Sequence, residues 1–459
     1  MSGGSTAMVG EAGAPVRGIL GQPKGLYFLA ATEAWERFSY YGMTALVVLY
    51  MVNQLLLPGH VENIAGFPGF RAALESVFGP ISTQALASQI FGLYSGFVYF
   101  TPVLGGWIAD RFVGQRNAVV AGAVLMSAGH LAMAFDQSFL AALALLILGS
   151  GLLKGNVAAQ VGALYAINDE TNRVHGYAIF QTGINVGAML GPVVCGLLAQ
   201  LYGWHTGFGA AALFILIGLV TYLVGYRHLP SRTERAVSER RALTAAEWRR
   251  IRAICAVLAI VVCHATSYFQ SYNTAAVWTQ DHVDLDVGGF AIPVPWFNAV
   301  DPLFSILGVP VVFALWRRQA AARAGVEPGD LEKIGMGAWL VASGNAILVA
   351  AILALGNDGL SPLWPFLYFA MMGVSFMFYW PVVLALVSRA APAPVNSTMM
   401  GVAYLTLFVA SNVMGRLGGL YETLPPAMFW GLHAAVAAAG GVAVLVFGDA
   451  ITRVLRSDA

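Results

Sequence analysis

The sequence predicts an all-α integral membrane protein of about twelve transmembrane helices in two six-helix halves, on three observations. Of its 459 residues, 58% are hydrophobic and only 10% charged, with a mean hydropathy of +0.71; an ordinary soluble domain carries roughly 25% charged residues. Apolar stretches of about 20 residues, each able to cross a ~30 Å hydrocarbon core, recur between Tyr27 and Phe447. These runs lack the short alternation of a barrel, and an open sheet would leave backbone polar groups unpaired in lipid, so helices remain. A formal charge of +1 without a long basic tract gives no footprint for a nucleic-acid partner. Cys195, Cys255 and Cys263 lie in apolar segments without metal-ligand spacing and read as small packing residues.

In chain order, Met1 to Gly21 is rich in Gly, Ala and Ser with no compact apolar run and cleavage site. It reads as part of a flexible cytoplasmic tail, residues 1–26, rather than a signal peptide. Helix starts follow near Tyr27, Ala85, Ala118, Phe139, Tyr177 and His205, then near Ile251, Phe297, Ile334, Leu363, Ser397 and Met428. With a cytoplasmic N-terminus, all but four of the 24 Lys and Arg residues fall on the cytoplasmic side; Arg71 lies outside, and Arg37, Lys154 and Arg416 lie within spans. That bias places both termini in the cytoplasm, and the expected location is the inner membrane. The Arg-rich segment 227–250 reads as a cytoplasmic linker and topological anchor between a first bundle, 27–226, and a second, 251–459, with a short cytoplasmic tail.

Charged residues inside spans carry the chemistry, because each costs at least ~2.5 kcal/mol at a helix centre unless paired or hydrated. In the first span, Glu33, Glu36, Arg37, Tyr40, Tyr41 and Thr44 share one face by helical spacing. Glu33 and Glu36 can neutralise Arg37 and a second cation, for which Lys154 in the fourth span is the candidate. Protonating either carboxylate would release its partner, which suits coupling a proton to an alternately paired and free cation; the alternative is a static salt-bridge knot. Asp301, followed by Pro302, is a third candidate, against a helix-start aspartate at the outer interface. Arg416 is expected to snorkel or to pair with Glu422. After Gly105-Gly106, Asp110 with Arg111 and Arg116 is expected to form a gate latch across the seam between halves.

Two six-helix halves on a central cytoplasmic loop is the layout of the major facilitator superfamily, and particular motifs resemble its proton-dependent oligopeptide transporter (peptide transporter) family. They are Glu33-x-x-Glu36-Arg37-Phe38-Ser39-Tyr40-Tyr41-Gly42-Met43, the stretch from Val98-Tyr99-Phe100-Thr101-Pro102 through Gly105-Gly106 to Asp110 and Gly129, Gly151-Leu152-Leu153-Lys154-Gly155-Asn156, and Gly183-Ile184-Asn185-Val186-Gly187-Ala188. Weaker likeness continues through Asp301-Pro302-Leu303-Phe304 to Ser388-Arg389-Ala390-Ala391-Pro392. By that resemblance Glu33 and Glu36 serve proton coupling, Arg37 and Lys154 receive a peptide carboxylate, and Tyr41, Tyr99, Asn185 and Gln270 contact substrate. The resemblance implies a symporter importing di- and tripeptides by alternating access, not an enzyme, working as a monomer with a proton as coupling ion and no cofactor.

The sequence departs from the family's pattern in its second half. Where the family has a seventh-helix glutamate before a glutamine, Phe269 precedes Gln270; the tenth-helix glutamate position, five residues before Pro381, is Phe376; the first-helix arginine position is Thr44; the eleventh-helix tryptophan position is Ala403. Loss of the seventh-helix acid together with its first-helix basic partner avoids stranding a charge. With the tenth-helix acid also absent, the expected negative pole is Asp301. Two other functions stand beside the peptide symporter: a proton-coupled carrier of a non-zwitterionic carboxylate or modified peptide, and a nontransporting sensor on the same fold.

Overall fold

The computed structural model describes residues 21–166, 169–230 and 241–456, with Glu170 described by its backbone alone. Most of the expected N-terminal tail, positions 231–240 of the expected linker and the last three residues lie outside the described residues. The first half comprises α1 (Lys24–Tyr50), α2 (Phe67–Phe78), α3 (Thr83–Ile108), α4 (Gln115–Ala132), α5 (Phe139–Ala163), α6 (Glu170–Tyr202) and α7 (Trp204–Gly225). The second comprises α8 (Ala245–Tyr268), α9 (Thr274–His282), α10 (Val300–Ala322), α11 (Asp330–Leu355), α12 (Leu363–Met377), α13 (Trp380–Ala390), α14 (Asn396–Gly418) and α15 (Pro426–Arg456). Taking α12 and α13 as one interrupted span, and setting aside α2 and α9, the described residues hold twelve spans. Nine of them are apolar and long enough to cross a membrane by composition alone; α1, α3 and α4 carry more polar residues.

The seventh span starts six residues earlier than expected. Thr244 Oγ1 accepts from the Glu247 backbone N–H at 3.2 Å, and Glu247 Oε2 accepts from the Thr244 N–H at 2.8 Å. This capping box satisfies two orphan donors and begins the helix at Ala245. Arg249, Arg250 and Arg252 therefore lie on its first turns. The first span likewise begins at Lys24 rather than Tyr27.

Two spans of the second half are broken. A 3₁₀ turn, Phe269–Tyr272, ends α8, and Asn273 leaves helical geometry at φ −120°, ψ −103° before α9. Between α12 and α13, Tyr379 sits at φ −114°, ψ −87°. Pro381, lacking an N–H and crowding the carbonyl four residues back, explains this second break.

We call the side holding Lys24 and Arg456 the terminal face and the other the far face. The halves meet along α3 and α14, where a Cβ on Gly92 would lie 2.7 Å from the Ser411 carbonyl oxygen and 2.9 Å from Gly415 Cα, so only glycine permits this approach. Hydrogen bonds joining the halves gather near the far face. Asn53 and Gln280 exchange two amide bonds at 2.7 and 3.1 Å, Ser88 Oγ donates to Asn273 Oδ1 at 3.0 Å, Trp296 Nε1 donates to the Val193 carbonyl at 3.0 Å, and Ser82 donates to Glu422. A short hairpin, Asp286–Val287 against Phe290–Ala291, turns there on Gly288 and Gly289 at φ +65° and +84°; its Ala291 carbonyl accepts from Gln200 at 2.8 Å.

Candidate functional site

Glycines set the first-half site. On α6, Gly183, Gly187 and Gly191 recur every four residues; a Cβ on each would fall 2.8, 2.1 and 2.3 Å from the carbonyl oxygens of Ala30, Ala34 and Phe38. The two backbones are thus in contact, which fixes the rotation of α1. Similarly, a Cβ on Gly105 would lie 2.1 Å from the Gly151 carbonyl oxygen, so α3 and α5 touch one turn from Lys154.

On the α1 face, Arg37 Nε donates to Glu33 Oε1 at 2.9 Å and lies 2.7 Å from Glu36 Oε2. Glu33, Glu36 and Arg37 are 3%, 0% and 9% exposed, so this pairing is shielded from water. Glu33 Oε2 and Glu36 Oε1 are buried without a hydrogen-bond donor, and Glu36 Oε2 has only its ion pair with Arg37. Buried carboxylates so poorly supplied with donors are expensive as anions, and a proton is the smallest group that relieves the cost. Lys154 makes no ion pair within 4.0 Å among the described residues; its Nζ sits 3.9 Å from the Tyr40 ring centroid and 5.9 Å from that of Tyr99. It remains within electrostatic reach of Glu36 and Glu33. The cation is held by a ring face, a weaker hold than a closed salt bridge in a buried setting.

The second-half site centres on Asp301, in the first turn of α10 and 3% exposed. Tyr268 donates to its Oδ2 at 2.5 Å, Tyr272 to the same oxygen at 3.2 Å, and Ser305 approaches Oδ1 at 3.4 Å. The cap position of α10 belongs to Ala299, after a 3₁₀ stretch, Val294–Ala299. Asp301 is therefore a sealed, hydroxyl-ligated acid rather than an interfacial cap. A Cβ on Gly373 would lie 2.2 Å from the Asp301 carbonyl oxygen, and Ser305 Oγ donates to the Gly373 carbonyl at 2.9 Å, so α12 clamps this turn.

Aromatic rings link the two centres. Tyr41 packs on Tyr40 at 5.1 Å and faces Tyr272 across the seam at 5.9 Å. Tyr99 stacks on Phe269 at 5.7 Å. Tyr41 lies within electrostatic reach of both Arg37 and Asp301. From α14, Tyr404 lies within electrostatic reach of Arg37 and Glu33 and packs on Trp380 at 5.3 Å.

The structure thus brings Glu33, Glu36, Arg37, Lys154, Tyr41 and Tyr99 together, with Asp301 on the far side of the tyrosines. Asn185 is half-buried on α6, accepting from Gln181 at 3.3 Å. Gln270 departs from expectation: it is 0% exposed, donates to the Met414 carbonyl at 3.0 Å, and accepts from Thr274 at 2.7 Å and Asn273 at 3.2 Å. Its Nε2 ties the broken segment of the seventh span to α14, and its Oε1 bonds across the break within that span, so its amide is engaged structurally in this conformation. The expected latch also differs. Arg116 donates to the Pro230 carbonyl at 3.0 Å, at the start of the linker, and lies over the Tyr226 ring at 5.0 Å, neither in the second half, while Asp110 and Arg111 are exposed. Arg416 does not pair with Glu422, which Ser82 occupies; it lies 5.2 Å over Phe78 at the end of α2. Tyr268, Tyr272 and Ser305 were not anticipated from sequence, although Tyr268 and Tyr272 stand one helical turn apart beside an in-span acid.

The sequence profile of the Major Facilitator Superfamily matches residues 32–416. The chain belongs to the major facilitator superfamily. It is 27% identical to the uncharacterized transporter YclF of Bacillus subtilis, over 96% of this chain and 97% of that one. It is 26% identical to the di-/tripeptide transporter of Lactococcus lactis subsp. cremoris, over 95% and 97%. The crystal structure of the peptide transporter POT in complex with sulfate superposes with a TM-score of 0.82 at 26% identity, covering 96% of this chain and 98% of that one. A POT family transporter in complex with 5-aminolevulinic acid shares the fold, with a TM-score of 0.81 at 24% identity over 95% and 99%. These relatives bear out the resemblance to the proton-dependent oligopeptide transporter family and the two-half architecture read from the motifs. The chain is a multi-pass membrane transporter, not an enzyme.

Proposed function

We propose that this protein is a proton-coupled symporter that imports di- and tripeptides by alternating access. The observation that carries the reading is the placement of two opposite poles on either side of Tyr41: Arg37 with Lys154 in the first half and Asp301 in the second. A free peptide is a zwitterion and needs a cationic pole, an anionic pole and backbone-directed donors between them. A proton taken up by Glu33 or Glu36 removes one carboxylate from Arg37 and frees positive charge for the peptide carboxylate. Proton release then lets Arg37 re-pair and resets the empty carrier. Alternating access opens the seam near the far face, where Asn53 and Gln280 bridge the halves. The Lys and Arg distribution supports a cytoplasmic terminal face, hence both termini inside and placement in the inner membrane. On this reading the chain works as a monomer with no cofactor beyond the coupling proton, and Tyr99 and Asn185 supply further peptide contacts.

The apolar wall favours a second reading. Phe269 stacks on Tyr99, and Phe376 lies 6.3 Å from Tyr268. A carboxylate without a free amine, or a blocked peptide, would pack there without a counter-charge. Uptake of a radiolabelled dipeptide into proteoliposomes separates these readings from each other and from no transport. An inward proton gradient is expected to stimulate uptake of the free dipeptide, and a protonophore to abolish the stimulation. Stimulated uptake of N-acetylated dipeptide alone would establish the second reading, and no gradient-stimulated uptake of either would sink the symporter.

A further inference from the structure

The second-half acid is hard to reach. One oxygen of Asp301 accepts from two phenols, at 2.5 and 3.2 Å, the other faces Ser305 at 3.4 Å, and the residue is 3% exposed. The Gly373 clamp on its backbone leaves the turn little room to swing the carboxylate outward. Tyr41, Tyr99 and Tyr272 are only half-buried, so rings rather than the carboxylate line the space between the poles. A phenol that donates its hydrogen to a carboxylate presents an electron-rich oxygen and ring face outward, and such faces attract cations without requiring N–H donors.

We propose that the substrate's cationic group is read by the rings and phenol oxygens of Tyr272 and Tyr41, with Asp301 acting through Tyr272 as a positioning residue. The site therefore accepts quaternary ammonium zwitterions, such as N-trimethylated peptides, as well as free peptides. This rests on the reading of Asp301 as the negative pole. A direct salt bridge would instead be lost on trimethylation, because the methylated nitrogen has no hydrogen to donate and cannot enter a pocket already filled by two hydroxyls.

The test is competition against labelled free dipeptide binding to the purified full-length protein, using free, N-trimethylated and N-acetylated forms of one dipeptide. The trimethylated form is expected to compete within about threefold of the free form, and the acetylated form to be weaker by about tenfold or more, since only the latter lacks the charge. Tyr272→Leu should shrink the gap between cationic and acetylated peptides, a change of specificity that a folding defect alone would not produce. Trimethylation weakening binding as much as acetylation would overturn the inference while leaving the peptide reading intact. Equal binding of all three forms would overturn the inference and the zwitterion reading together, and failure of the free dipeptide itself to bind would remove both.

Discussion

The two halves hold their charges by opposite means. The first places a guanidinium between two carboxylates and leaves buried acceptor oxygens without donors; the second holds one carboxylate with two phenol hydroxyls. The first arrangement is poised to change, because adding or removing one proton alters which charges are paired. The second keeps its carboxylate on fixed hydroxyl donors. On the proposed symporter reading, the contrast would put proton coupling in the first half and steady recognition in the second. Both centres depend on a glycine pressed against a backbone carbonyl, Gly187 on Ala34 at 2.1 Å and Gly373 on Asp301 at 2.2 Å.

The largest effect is expected from Arg37→Gln, which leaves two buried carboxylates with no cation between them. Such a loss costs about 3–5 kcal/mol, so both thermal stability and uptake should fall sharply, and more protein should survive at acidic pH, where the acids are protonated. A stable Arg37→Gln variant with intact uptake would show that the cluster is not the switch. Next come Gly187→Ala and Gly373→Ala, each forcing a shift worth about 1–3 kcal/mol. Gly187→Ala should impair gradient coupling more than peptide affinity, and Gly373→Ala the reverse; identical profiles for the two would erase the division of labour.

Gln270→Ala removes a tie between the seventh span and α14 and leaves the Met414 carbonyl, Thr274 and Asn273 short of a partner. About 1–3 kcal/mol of stability should go, with KM for peptide unmoved; a raised KM without loss of stability would return Gln270 to the substrate site. The smallest effect belongs to Asn53→Ala, which deletes one side of the amide pair near the far face. It should shift the balance of open and closed forms by about 0.5–1.5 kcal/mol, read as the distance between spin labels at positions 57 and 284, which lie on the two halves outside the pair. An unchanged distance distribution would mean that the pair is incidental to closure.

How far the sequence could be read differs between the halves for the same physical reason. The Glu33, Glu36 and Arg37 face was legible because charges in an apolar run must find partners nearby, and helical spacing supplied them. Asp301 was legible as a candidate, but its donors come from another helix, and only the turn-spaced pair Tyr268 and Tyr272 hinted at them. The contacts of Gln270, Arg116 and Arg416 were not legible because an amide or guanidinium satisfies itself on whichever carbonyl or ring the fold brings close. Their partners, at Met414, Pro230 and Phe78, lie far away in sequence. The start of the seventh span could have been read from Thr244-x-x-Glu247, whereas the break at Asn273 leaves no comparable local signal.

The division of poles between unlike halves is tested most directly by the affinities of free and N-acetylated dipeptide for the wild type and for Asp301→Asn. The wild type should prefer the free form, and Asp301→Asn should lose that preference, weakening the free form by about tenfold, or ~1.4 kcal/mol, while the acetylated form changes little. An Asp301→Asn protein that keeps the full preference for the free amine would contradict the placement of the negative pole at Asp301.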